Sequence, residues 1–417
     1  MNKTAVIGIV GIFVCALAIR ESARIGLART YAIGALTSNG VSTAEASVQK
    51  LPNDAEVHAA RGIVLQRTDD YTQGCRELER AVQLRPRDYF LWMMLGVTRD
   101  LNDDQQGALT ALRESVALAP SYAKPRWLIG NLLLRMNKTD EGFQQLRAAA
   151  AAGPALLPNV IDLAWGFSRN DPTEAVTFLS PQTDGARLAL ATFLAGHKQG
   201  GAALEQFRSM KSNGGSGIDQ LTQKLIDARF VAEAFDIWTK TRCPSCKAGS
   251  LLNPNFEEDV AINAQGFGWQ ITNSSPNVTL SIDTSEHEEG ARSLRIDFHG
   301  ESEAASPLVS QFVVVSPDTR YRLSFAAMNR SFASSAVPVL KVLDASNSEG
   351  MVLGQSANLT DATAWRGSTI DFTTHGNTLA IQVMITRTGC PATTCAAFGT
   401  VWLDAFALEV VSNTSGK

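Results

Sequence analysis

Along the first half of the chain, small and apolar positions recur with one fixed step. Pro52, Pro86, Pro120 and Pro154 stand 34 residues apart, and Gly62, Gly96 and Gly130 keep the same step. So do Gly74, Ala108 and Gly142, and so do Leu78, Leu112 and Leu146. A period of this length marks a repeat architecture in which each unit is one supersecondary motif. The residue types specify a pair of antiparallel helices: small residues where the helices cross closely, leucines in the seam, and a proline that stops the second helix. The units predicted are 55–88, 89–122 and 123–156, preceded by a weaker one with helices over 24–36 and 42–50 and a turn at Asn39-Gly40. Past Pro154 the period slips. Asp171-Pro172 opens a helix that Ser180-Pro181 closes, and further helices are predicted over 186–196, 202–210, 218–227 and 230–240, with a loop at Ser212–Gly217. Worn terminal units suit a solenoid that must cover its last apolar face.

From Leu251 onward the pattern changes to period two. Strands are predicted over 278–282, 293–298, 308–315, 321–325, 337–343, 369–372, 379–385 and 400–411. Strands at this spacing predict a β-sandwich of the jelly-roll kind. Ahead of both halves, an apolar run from Thr4 to Ile19 lies between Lys3 and Arg20. As a helix it spans about 24 Å, against a hydrocarbon core of about 30 Å. It reads either as a short signal anchor or as a cleavable signal sequence, with Ala16-Leu17-Ala18 as a small-residue cleavage site. The repeat pattern starts at about Glu21 with no polar spacer, which favours the uncleaved anchor over secretion after cleavage. The expected chain is therefore multidomain, α then β. A transmembrane anchor occupies 1–20, an α-solenoid 21–242, a linker 243–252 and a β-sandwich jelly roll 253–412.

Composition changes this picture little. The 417 residues are 45% hydrophobic and 19% charged, with a net charge of −4 and no basic run, which excludes a nucleic-acid surface as the leading reading. Arg20, Arg24 and Arg29 follow the apolar run and by themselves favour the cytoplasm for what comes next. The cysteines argue the other way. Cys243 and Cys246 form a CxxC, and Cys390 and Cys395 form a second close pair. A structural zinc needs four ligands, no second CxxC exists, and the five histidines show no ligand spacing. A redox CxxC wants a βαβ context that is absent. A local disulfide within each pair is the expectation, and with it an extracytoplasmic location, periplasm or cell surface.

The middle repeat, with Trp92, Leu95-Gly96, Ala108, Leu112 and Pro120, resembles the tetratricopeptide family. His58 stands where the second repeat has Trp92, so the aromatic row is degenerate. The resemblance implies an inner surface lined by the first helix of each unit: Ile63 and Gln66, then Phe90, Met93, Val97 and Asp100, then Lys124, Trp127, Asn131 and Leu134. Its functional reading is a groove for a peptide of a protein partner, with Phe90, Met93, Val97, Trp127 and Asn131 as contacts. The alternative is that these side chains pack against neighbouring helices. The lysine and asparagine set with which some family members hold a C-terminal carboxylate is not assembled.

In the β half, Asn253-Pro-Asn-Phe-Glu257, the segment from His287 through Ser293-Leu294 to Ile296, the segment from Ser310-Gln311 to Ser324, and Val401 to Leu408 share an order and spacing. Together they are similar to the carbohydrate-binding jelly rolls appended to cellulases and xylanases. The resemblance implies polysaccharide binding, with Trp269, Gln311, Phe332 and Trp365 as candidate contacts, although Trp269 reads equally as core. It also implies a structural calcium held by Glu257 and Asp404, whose hard oxygens suit that ion. Ala405 stands where relatives often carry a second aspartate, and the alternative is that both carboxylates cap strand ends.

No Walker loop, no GxGxxG between strand and helix and no GxSxG elbow occurs, and His287-Glu288 lacks the second histidine of a zinc-protease helix, with Ala291 in its place. The expectation is a non-enzyme: a membrane-anchored extracytoplasmic adaptor in exopolysaccharide or envelope assembly, its repeats on a protein and its jelly roll on polysaccharide. The alternatives are a purely structural interaction scaffold and an accessory chain of a glycoside hydrolase.

Overall fold

A computed structural model of the chain describes residues 3–212, 214–260, 265–271, 275–347, 350–360 and 362–411. Residues 1–2 of the expected anchor, Asn213 of the expected loop and residues 261–264, 272–274, 348–349, 361 and 412 of the expected sandwich lie outside the described residues. The chain divides into two compact units, Met1–Ser180 and Pro181–Lys417.

The first unit is built from helix pairs: α1 (Lys3–Ser38) with α2 (Val41–Lys50), α3 (Ala55–Arg67) with α4 (Tyr71–Leu84), α5 (Tyr89–Leu101) with α6 (Gln105–Leu118), and α7 (Ala123–Arg135) with α8 (Thr139–Ala152). A 3₁₀ turn over Pro154–Leu156 leads to α9 (Leu157–Phe167) and α10 (Pro172–Leu179). The glycine and leucine rows of the sequence are partners across each pair. A Cβ on Gly62, Gly96 or Gly130 would stand 2.7, 2.6 or 2.6 Å from the Cγ of Leu78, Leu112 or Leu146. The turn inside each pair needs a left-handed residue, and Asp69, Asp103 and Asn137 supply it at φ of 63°, 61° and 59°. Aspartate and asparagine tolerate that region better than other L residues. The next residue, Asp70 or Asp104, then caps the second helix by accepting from the amide of Gln73 or Gly107.

The degenerate aromatic row has a different meaning in three dimensions. Trp92 Nε1 donates to the Pro86 carbonyl at 2.9 Å, His58 Nε2 lies 2.9 Å from the Pro52 carbonyl, and Arg126 Nε donates to the Pro120 carbonyl at 3.1 Å. A carbonyl only accepts, so the row selects an N–H donor and not an aromatic ring.

The transmembrane helix expected over 1–20 is corrected. Residues Lys3 to Ser38 form one continuous helix, and among its residues whose burial is described the packed positions are Ala28, Ala32 and Ala35. Val10, Ile12 and Phe13 are exposed. Among the described residues no helix is long and apolar enough to cross a membrane. The apolar run is the first part of a helix whose remainder belongs to the first repeat.

The second unit opens with α11 (Asp184–Gly196), α12 (Gly200–Arg208), α13 (Ile218–Asp227) and α14 (Val231–Thr241). The expected solenoid boundary at 242 therefore falls inside this unit. Among the described residues ten strands follow: β1 (Gln270–Ile271), β2 (Val278–Asp283), β3 (Ser293–Glu303), β4 (Val309–Val314), β5 (Arg320–Ser334), β6 (Val337–Asp344), β7 (Val352–Gln355), β8 (Arg366–Thr373), β9 (Ala380–Thr388) and β10 (Thr394–Val410). They form two five-stranded antiparallel sheets, β1-β4-β9-β6-β7 and β2-β3-β10-β5-β8, whose facing side chains make one core. Alternation sets the faces: Leu294, Ile296 and Phe298 of β3 point inward, with Arg295 and Asp297 between them. Strands β1 and β7 escaped the sequence pattern, being two and four residues long. Phe235 and Trp238 of α14 pack on Phe267 just ahead of β1, ring centroids 5.0 and 6.0 Å away. Cys243 bonds to Cys246 directly after α14, and Cys390 bonds to Cys395 across the β9–β10 connection.

Candidate functional site

In the first unit, a cleft of about 330 Å³ opens between α1, α3 and the start of α5. Its apolar lining includes Ile33, Leu36, Ala59, Ile63 and Phe90. Ile33 is 64% exposed and Phe90 42%, so both present apolar surface that no helix of the unit covers. The rim is ionic. Arg29 donates to Asp54 Oδ2 at 2.8 Å and its Nε approaches Glu56 Oε2 at 3.0 Å without hydrogen-bond alignment, while Arg85 donates to Glu56 Oε1 at 3.1 Å. The hydrogen bond to Asp54, opposed by partial burial, raises the Arg29 pKa. Burial works against the charge on Asp54, but Arg29 and the amides of Glu56 and Val57 outweigh it and hold its carboxyl below the ordinary range. A cleft of this size sits at the lower end of the usual ligand-site range of about 300–1,000 Å³. It has room for a large apolar side chain under a charged rim.

Of the expected groove residues, Phe90 lines this cleft. Met93 is a correction. It is buried with Ala108 and Leu112 of α6 and Ile129 and Leu133 of α7, which cover this position of α5. Val97 and Trp127 are half-buried, and the Asn131 amide donates to its own helix at the Trp127 carbonyl, 2.9 Å away. The contribution of α1 was missed. The signal for it was present: the row Ile63, Val97 and Asn131, extended upstream by one period, reaches Arg29.

In the sandwich, two of the four expected saccharide contacts are corrected. Trp269 is core: its indole N–H donates to the Asn253 carbonyl at 2.9 Å, and its ring stacks on Phe256 with centroids 5.2 Å apart. Gln311 is fully buried and clamps the entering chain, accepting from Leu252 N at 2.8 Å and donating to Leu252 O at 2.9 Å. Phe332 is half-buried edge-on against Phe298, centroids 5.4 Å apart, and Trp365 is half-buried in the segment before β8. With Trp269 and Gln311 buried, the four residues do not form one exposed surface.

The expected calcium pair meets amides. Glu257 Oε1 accepts from Ala291 N at 2.7 Å and Arg292 N at 3.1 Å. Asp404 is fully buried, with Oδ2 accepting from Glu288 N at 2.9 Å and Glu289 N at 3.0 Å and Oδ1 from Ala405 N at 2.7 Å. Calcium wants six to eight oxygen ligands. The chain points N–H donors at these two carboxylates, so the residues present do not fit the ion. Among the described residues no group of three or more His, Cys, Asp or Glu is arranged to hold a metal.

No family model matches this chain, and no curated protein matches it. Solved structures do. A crystal structure of MamA is 16% identical, covers 40% of this chain and 86% of its own, and has a TM-score of 0.31. MamA from Desulfovibrio magneticus RS-1, residue 41 to the end, is 18% identical over 45% of this chain and 98% of its own, with a TM-score of 0.34. YrrB, described as a TPR protein with an unusual peptide-binding site, is 17% identical over 40% of this chain and 93% of its own, with a TM-score of 0.32. The reading of the helical region as tetratricopeptide-like pairs stands on the 34-residue geometry itself.

Proposed function

We propose that this protein is a non-catalytic interaction scaffold whose first unit takes a short peptide segment of a protein partner. The observation that carries the proposal is the cleft between α1, α3 and α5, with exposed Ile33 and Phe90 beneath the Arg29–Glu56–Arg85 rim. A bulky apolar side chain entering it is desolvated, and buried apolar anchors carry most of the energy in peptide recognition. Polysaccharide binding has no comparable support, since Trp269 and Gln311 are committed to the sandwich core. Selection of displayed peptides on the full chain tests the proposal. Peptides enriched on the wild type are expected to carry a bulky apolar residue and to bind Phe90→Ala about tenfold or more weakly, the cost of one good anchor. Equal binding to both proteins refutes it.

The proposal also locates the protein outside the reducing cytoplasm, in support of which stand the two bonded cysteine pairs. Thiol trapping before lysis, followed by counting of alkylated cysteines, tests this. Recovery of Cys243, Cys246, Cys390 and Cys395 as free thiols overturns it.

A further inference from the structure

Three successive repeats close the same corner with three different side chains. The carbonyls of Pro52, Pro86 and Pro120 receive their hydrogen bonds from His58, Trp92 and Arg126 respectively. In the outer two repeats the donor also bridges to the second helix, at positions again 68 residues apart. Arg126 Nη1 donates to Gln145 Oε1 at 3.2 Å, and His58 Nδ1 lies 2.6 Å from Glu77 Oε2. In the middle repeat that position is Ala111, and Trp92 makes the single bond.

The imidazole is thus wedged between two acceptors, a backbone carbonyl and a carboxylate, with only 7% of the residue exposed. A neutral ring has one N–H and satisfies one of them; the imidazolium satisfies both. Trp92 and Arg126 donate at every ordinary pH, whereas a histidine changes its donor count near neutrality. We propose that the corner made by α2, α3 and α4 is a pH-sensitive joint, closed by doubly protonated His58 and loosened when the ring loses a proton.

The groups facing the ring agree with this. From α4 come Glu77, which favours the charge, and Arg80, which opposes it. From α3 itself Arg61 holds the other Glu77 oxygen at 3.0 Å, and from α2 Glu45 stands 3.9 Å from Arg61. The hydrogen bond to Glu77 dominates over burial, and the His58 pKa is raised. A raised folded value means that the stabilisation is fully present below the unfolded value of about 6.5 and is lost as pH rises through the folded one. The joint matters beyond its own turn. Asp54, two residues past Pro52, caps α3 and holds Arg29 at the rim of the cleft, and Asn53 accepts from Arg80 at 3.1 Å.

The chain supplies its own pH-insensitive template. In the full-length protein, His58→Arg with Glu77→Gln copies the Arg126–Gln145 arrangement. Hydrogen exchange of the first-turn amides of α3, corrected for intrinsic rates, is expected to lose protection between pH 6 and pH 9 in the wild type, about tenfold for each unit separating the two pKa values. The double variant is expected to hold its protection level across the same range. NMR of the His58 ring is expected to show both ring N–H groups at pH 6 and a midpoint above 6.5. A second variant, Glu77→Gln alone, keeps the test decisive if the double variant misfolds: it is expected to lower the His58 midpoint. A ring that is neutral at pH 6, a midpoint unmoved by Glu77→Gln, or equal loss of protection in wild type and double variant overturns the proposal.

Discussion

Replacing Gly96 with alanine sets two effects of opposite sign against each other, and the geometry decides between them. Alanine is preferred over glycine inside a helix by about 1 kcal/mol. Against this, the new Cβ would stand 2.6 Å from Leu112 Cγ, 2.9 Å from Leu112 Cδ2 and 3.2 Å from the Ala108 carbonyl oxygen. Leu112 and Ala108 are both buried, and the carbonyl belongs to helix backbone, so neither has room to retreat. Overpacking of this kind costs about 1–3 kcal/mol. With a backbone atom among the contacts the upper half of that range applies, and the net expectation is a loss of about 1–2 kcal/mol once the ~1 kcal/mol of propensity is returned. Urea unfolding followed by far-ultraviolet circular dichroism measures it. The control is Gly166→Ala in α9, where a Cβ meets nothing within 4 Å and a gain of about 0.5–1 kcal/mol is expected. Leu112→Ala alone should cost about 2–5 kcal/mol, and combined with Gly96→Ala it should cost less than the sum by about 1 kcal/mol, because truncating the leucine removes the two shortest contacts and leaves only that with the Ala108 carbonyl. A stabilising Gly96→Ala, or additivity of the pair, refutes the reading of the two rows as facing partners.

Gln311→Ala should lower the stability of the second unit by about 2–4 kcal/mol in thermal or urea unfolding, since it strands the amide and carbonyl of Leu252 beside a buried site; a near-wild-type midpoint refutes the clamp. Burial opposes the charge on Asp283, but the Ser285 hydroxyl, the Trp402 indole and the amides of Ser285 and Glu286 outweigh it and hold its carboxyl well below the ordinary range. Its stabilisation is therefore present above the unfolded value of about 3.9 and lost as pH falls below it, so Asp283→Asn should be less stable at pH 7 and show a flatter acid unfolding curve; parallel acid curves refute this. Millimolar calcium or EDTA should leave the unfolding midpoint of the full chain unchanged, and a rise with calcium would show that a cation competes successfully with the amides on Glu257 and Asp404.

The helical architecture was legible because each repeat obeys one geometric demand at fixed intervals. Gly62, Gly96 and Gly130 must be small because a leucine stands against each of them, and that demand writes itself into sequence as a period. Function-bearing positions are written less plainly. Met93 occupies the same row as Trp127 and reads as an inner-surface anchor, yet a row names a direction on one helix and says nothing of whether the neighbouring pair covers it. The donor row was hidden for another reason. His58, Trp92 and Arg126 share no shape, charge or hydropathy, only an N–H at the right reach to a carbonyl. In the β half, the strands that bury a face were visible by alternation, while Gln311, a polar side chain at a sandwich strand, looked like a ligand contact. It proved to be spent on the backbone of Leu252, the usual fate of a buried amide.

The loop between β2 and β3 explains why carboxylates stand where a cation was expected. Its amides have no ladder partner, and each backbone N–H takes its acceptor from a side chain or from water. Three acids take them in series: Asp283 accepts from Ser285 and Glu286, Asp404 from Glu288 and Glu289, and Glu257 from Ala291 and Arg292. These acceptors come from β2, from β10 and from the segment before β1, so one loop ties together three distant parts of the unit. Four of those six bonds end on just two oxygens, Glu257 Oε1 and Asp404 Oδ2, so each of these atoms is already saturated by two amides. The two carboxylates for which the resemblance implies a calcium site therefore work here as caps, because the groups that reach Glu257 Oε1 and Asp404 Oδ2 are backbone N–H donors.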